Sequence, residues 1–128
     1  MAAFSNYLET ALINGTLRAT SYTAPTTVYV GLFTTDPTDA GSGTEVSGNA
    51  YARQSATFAA PSDGAAATNA DVQFPQATGA WGTVTHFAIF DALTTGNMMY
   101  HGALTTSKTI ETGDVFKIAS GSLTVTLA

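Results

Sequence analysis

The sequence predicts a mainly β protein: a compact sandwich or small barrel of about seven short antiparallel strands, with one short α-helix at its N-terminus. Three observations carry this. Beyond Gly15 the apolar residues recur with period two. The apolar runs are broken at intervals by clusters of Gly, Pro, Asp and Asn, which mark turns between short strands. Ahead of Gly15, Phe4, Leu8 and Leu12 recur at the spacing of one helix face.

The helix is placed at about residues 4–15, with Ser5 or Asn6 as N-cap and Asn14-Gly15 as its stop. A helix this short is marginal in water unless its apolar stripe docks on a sheet. Strands are expected near residues 27–34 (TVYVGLFT), 51–59 (YARQSATFA), 70–74, 83–91 (TVTHFAIFD), 97–104 (NMMYHGAL), 115–119 and 122–127 (SLTVTL). TVTHFAIF carries apolar residues on both of its faces, which predicts a central strand covered from each side. It leads through LTTG into NMMYHGAL, a length that suits a hairpin with Gly96 in the turn. In SLTVTL, Leu123, Val125 and Leu127 alternate with Ser122, Thr124 and Thr126, which predicts one buried and one wet side. Tyr29, Tyr51 and Tyr100 fit half-buried strand positions with the hydroxyl at the rim. No repeat or linker divides the 128 residues, so one domain is expected over 1–128, its β part running from about residue 26.

Two long stretches have no periodicity: residues 35–50 (TDPTDAGSGTEVSGNA) and 60–69 (APSDGAAATN). Aperiodic segments of such length in a small domain are functional loops or segments that order on binding. Both are expected to be loops, the first a flexible contact arm.

Composition narrows the function. Charged residues make up only 10% of the chain, against about 25% in an average soluble domain, while Thr and Ala together supply roughly a third of it. Four basic residues against nine acidic ones, net −5, leave no cationic stripe to neutralise phosphates, so neither nucleic acid nor an anionic membrane is an expected partner. No apolar run is long enough to span a bilayer, and no basic residue precedes Arg18, so neither a membrane segment nor a signal peptide is expected. The absence of cysteine removes disulfides, thiolate metal sites and thiol nucleophiles together.

Catalytic candidates are few. His86 and His101 fall on the two arms of the predicted hairpin, where they can face each other with Asp91 nearby; two histidines without a third ligand read as structural. Asp36, Asp39 and Glu45 share a Gly-rich loop but lack the ladder of a calcium loop. AGSGTEVSG has neither a GxGxxG frame nor a following Lys, and no GxSxG elbow occurs. No enzyme, metal or cofactor is expected. Neutral hydroxyls and methyls lose water at lower cost than Lys or Glu, so a Thr-rich, charge-poor surface suits assembly. The expected contact residues are Asp36, Pro37, Asp39, Glu45 and Val46 in the first loop and Pro61 and Asp63 in the second. Trp81 is the last, read as core or inter-subunit packing.

The run FSNYLETALINGTLR, the APTTVYVGLFTTDP strand and turn, the GTEVSG loop leading to YAR, WGTVTHFAIFDA, YHGAL and the GDVFKI to LTVTL ending occur here in order. Together they resemble a family of small bacteriophage virion proteins known as tail fibre-like proteins, over nearly the whole chain. The resemblance implies a virion structural protein, made in the host cytoplasm. A fibre normally needs length, through coiled coil or repeats, and this chain has neither. The expectation is therefore a capsid cement or decoration protein that binds between major capsid subunits on the capsid surface, as a homo-oligomer such as a trimer. The alternative is a tail fibre-like or tail adaptor module in contact with other virion proteins and involved in host attachment.

Overall fold

The computed structural model describes residues 2–127. The chain forms β1 (Ala3–Phe4), α1 (Asn6–Leu17), β2 (Val28–Phe33), β3 (Gln54–Ala56), β4 (Ala65–Ala67), β5 (Val72–Gln73), β6 (Gly82–Phe90), β7 (Met98–Ile110), β8 (Lys117–Ile118) and β9 (Thr124–Thr126). Five strands make one open antiparallel sheet in the order β1-β7-β6-β2-β3, while β4 pairs with β9 and β5 with β8 as separate two-stranded ribbons. The architecture is thus sandwich-like, and the barrel alternative is not realised.

The central strand is β6, as its two-sided apolar pattern requires. Val84, Phe87 and Ile89 join the main core together with Val30 and Leu32 of β2; Val72 of β5 and, next to the ribbon strands, Phe74, Phe116 and Leu123 add to it. On the opposite face, Ala88 and Phe90 form a smaller cluster with Phe33 and Met98. The β6–β7 hairpin closes at residues 91–97, where the Asn97 N–H donates to Asp91 Oδ1 at 2.7 Å and Thr95 and Gly96 both have positive φ.

Several expectations need correction. Leu127, expected on the buried side of its strand with Leu123, is 46% exposed. Phe4 pairs with Tyr100 in β1 and lies outside the helix. Ser5 is the N-cap, its side chain accepting from the Leu8 N–H. Asn14-Gly15 does not stop the helix, which continues to Leu17 and is capped at Arg18. Gly15 faces the returning chain at Thr20 and Tyr22, where a Cβ would meet only ordinary contacts, so the glycine is accommodated within the helix rather than ending it. In the second aperiodic stretch a hairpin forms: Ser62 and Ala65 exchange both backbone hydrogen bonds around Asp63 and Gly64, each at positive φ, a tight turn that the Asp-Gly pair favours.

The remaining correction concerns the first stretch, which is ordered rather than a flexible arm. The Thr34 N–H donates to Thr44 O and the Val46 N–H to Leu32 O, both at 2.9 Å, so the returning chain bridges onto the end of β2. Asp36 Oδ1 accepts from the Thr38 N–H at 2.8 Å, tightening the bend. At Gly43 a Cβ would sit 2.7 Å from Pro37 Cα, so only glycine fits where the two limbs cross.

Candidate functional site

The first loop is locked to the sheet by a network centred on Glu45. Tyr51 and Arg53 are two residues apart on an extended segment and therefore point to the same side. The Tyr51 hydroxyl donates to Glu45 Oε2 at 2.6 Å and accepts from the Leu32 N–H at 2.9 Å. Arg53 donates from Nε to Oε2 at 2.8 Å and from Nη2 to Oε1 at 2.9 Å, a two-point ion pair. Its Nη1 donates to Ala92 O and Thr95 O, carbonyls of the β6–β7 turn. The guanidinium also lies over the Phe90 ring, 3.5 Å from its centroid. Only 8% of the Arg53 side chain is exposed, so a buried cation is held by a carboxylate, two carbonyls and an aromatic face. Burial, then the hydrogen bond to Glu45, push the Tyr51 hydroxyl far above the ordinary tyrosine range. It is the neutral, proton-donating form that the fold requires.

A second link reaches the other limb. His101 Nε2 lies 2.7 Å from Asp39 Oδ1, and the Asn6 N–H donates to Asp39 O at 2.9 Å. The two histidines do not stand opposite each other: His86 pairs with Ala103 and His101 with Ala88, so they occupy diagonal positions on one face of the hairpin. His86 Nδ1 is engaged by Thr85 Oγ1 at 2.8 Å. No group of three or more His, Cys, Asp or Glu side chains among the described residues is arranged to hold a metal ion.

The contact candidates from the sequence fall into two groups. Asp36, Asp39, Pro61 and Asp63 are exposed, the first two on the bend of the first loop and the others at the β3–β4 connection. Pro37 is buried, and Glu45 is spent on Arg53. Val46 and Trp81 are each 6% exposed and belong to the main core. Trp81 donates from its indole N–H to Asn49 O at 2.9 Å and packs edge-on against Tyr51 and Phe74. The structure thus separates residues that shape the loops from residues that present them.

An open cleft of about 960 Å³ lies between the far half of β7 and the C-terminal chain. Leu104, Ile110, Phe116 and Leu123 are among its apolar lining residues and Thr106, Lys108 and Thr124 among its polar ones. Such a volume lies at the upper end of ligand-sized clefts. Nothing in the sequence pattern pointed to it: apart from Phe87 its lining comes from residues 103–126, whose folding back on one another is tertiary and leaves no periodic signal.

These features are a folded, charge-poor scaffold with fixed loops and an open cleft. The sequence matches the family described as Podophage GP4 fiber I protein gp80 over residues 3–126. The chain belongs to that family. None of the curated proteins compared with it matches. As a gp80-family member it is a small phage virion structural protein, and it associates with other virion proteins. The match runs from β1 to the end of β9, so the helix, the Glu45 network and the cleft all lie inside the family region. Among the described residues no helix is long and apolar enough to cross a membrane.

Arg53 is the residue that sequence reasoning missed. The available signal was the YAR triplet: an Arg two residues after a Tyr on a strand, in a chain with only four basic residues, points at a carboxylate, and Glu45 is the acid nearest before it.

Proposed function

We propose that the protein is a non-enzymatic building block of a phage fibre, a module that joins other virion chains through preset loops. The observation that carries this is the family match across residues 3–126, whose description names a fibre protein. The geometry supports it: the first loop is held at two points, Glu45 on Arg53 and Asp39 on His101, so its exposed bend is presented without an ordering cost on docking. Asp36, Asp39, Pro61 and Asp63 are the contact residues on this reading, while Pro37, Val46 and Trp81 keep the presenting loops in shape.

A second reading, capsid cement between major capsid subunits, is favoured by one feature. The longest described element is the 13-residue β7, and the described residues contain no long shaft. Immunogold labelling of intact particles separates the two. Gold on tail appendages supports the fibre reading, and gold spread over the head overturns it in favour of cement.

A further inference from the structure

The cleft is bordered by three strands that each have an edge without a partner strand among the described residues. β7 pairs with β1 only through Tyr100 and His101, so its outer edge is open from Gly102 onward. β8 pairs only with β5, and β9 only with β4. The lining includes consecutive residues, 103–106, 114–119 and 122–124. Successive strand residues point to opposite faces, so a surface touching all of them is bordered by backbone edges rather than by one face. Within β7 the register passes from Val84↔Lys108 to His86↔Ala103, so residues 104–107 bulge opposite Thr85 and stand outside the ladder register with β6. Open N–H and C=O groups along one groove are a template for an added strand.

Charge selects the occupant. Both lysines of the chain, Lys108 and Lys117, are among the lining residues, with Asp114 the one acid among them; Lys117 Nζ also lies 3.8 Å from Asp71 Oδ2, an exposed pair of the weak kind that leaves the ammonium open to a further carboxylate. The cleft therefore carries +2 − 1 = +1 in a molecule of net −5, leaving −6 for the rest. Its aromatic side chains, Phe87 and Phe116, are 4% and 8% exposed, so no open ring is available for a sugar to stack on.

We propose that this cleft receives an extended, acidic segment of another virion chain, which adds as a β-strand along the open edges of β7, β8 and β9 with its carboxylates toward Lys108 and Lys117. The proposal rests on the reading of the protein as an assembly module, but its test uses the purified chain alone, so its failure leaves the fibre reading standing.

The test is a nuclear magnetic resonance titration of the isotope-labelled full chain with a capped synthetic peptide of about seven residues alternating valine with threonine or glutamate. The expected result is movement of the amide signals of Thr105, Thr106, Lys108, Lys117 and Thr124, with binding about tenfold weaker for the Lys108→Glu/Lys117→Glu variant. Both side chains are exposed, so that variant folds; Thr106→Pro, which removes a backbone donor from the open edge, is expected to weaken binding without a change of charge. Absence of shifts overturns the proposal, as does equal binding of the same peptide with lysine in place of glutamate. A dimer that forms without peptide through the same amides overturns it in favour of a second copy, and shifts produced by polygalacturonate but not by the peptide overturn it in favour of a glycan.

Discussion

Arg53 and Glu45 are joined by two hydrogen bonds, Nε to Oε2 at 2.8 Å and Nη2 to Oε1 at 2.9 Å, with the Arg53 side chain 8% exposed and that of Glu45 24%. The pair ties the first loop to the β6–β7 turn, where the Ala92 and Thr95 carbonyls accept from Arg53 Nη1. Removing one partner leaves the other charge buried, which costs far more than the pair itself contributes. Glu45→Ala is therefore expected to lower the unfolding free energy by about 3 kcal/mol. The double variant Glu45→Leu/Arg53→Met recovers much of that, because neither charge then remains in the interior. Urea denaturation of the three proteins reads both effects.

Tyr51 gives the network a pH dependence with a defined sign. Its folded pKa is raised above the ordinary value of 10.0, first by burial and then by the hydrogen bond to Glu45. A group whose folded pKa is raised contributes stability that is fully present below its unfolded pKa and is lost as pH rises above it. The wild-type protein is thus expected to keep this contribution at neutral pH and to lose it progressively above pH 10.0. Tyr51→Phe should be less stable at neutral pH, since the Leu32 N–H and Glu45 lose a partner, and should show a flatter alkaline limb. Thermal unfolding of both proteins across the alkaline range is the measurement.

Gly31 makes the network possible by standing aside. A Cβ there would lie 2.8 Å from Glu45 Oε2, 3.1 Å from Phe90 Cε2 and 3.3 Å from the Tyr51 hydroxyl. Gly31→Ala should cost about 1–3 kcal/mol by overpacking. Combined with Glu45→Ala it should cost less than the sum, because the nearest clashing atom is gone.

The Asp39 to His101 link behaves differently, since 53% of the Asp39 side chain is exposed. Asp39→Ala is expected to change stability by no more than about 1 kcal/mol, while weakening incorporation of the protein into particles in a complementation assay. Wild-type incorporation by this variant would remove Asp39 from the contact surface.

How much of this was legible in the sequence depends on where each element's order comes from. The β6–β7 hairpin was readable because both faces of TVTHFAIF are apolar and a Gly-containing break follows; its central place in the sheet followed. β4 was not, since Ala65, Ala66 and Ala67 carry no strand signal and only the Asp63-Gly64 turn beside them does. The first loop looked flexible because its order is tertiary: Gly43 crossing Pro37, Glu45 on Arg53 and Asp39 on His101 leave no periodic trace. β7 continues beyond Leu104 to Ile110 because β6 is long enough to pair with it after a bulge, a partner effect that the polar run TTSKT conceals. Of the contact candidates, the loop positions were legible as loops, but which side chains point outward was not. Val46 and Trp81 are apolar and lie in the core, as apolar residues beside a strand most often do.

Quantitative mass spectrometry of purified particles decides whether the protein is a stoichiometric part of the virion. The expected result is a fixed number of copies per particle, unchanged by washing in high salt and by further purification. Particles that are intact and infectious with the chain absent, or present only in trace and variable amounts, would contradict it.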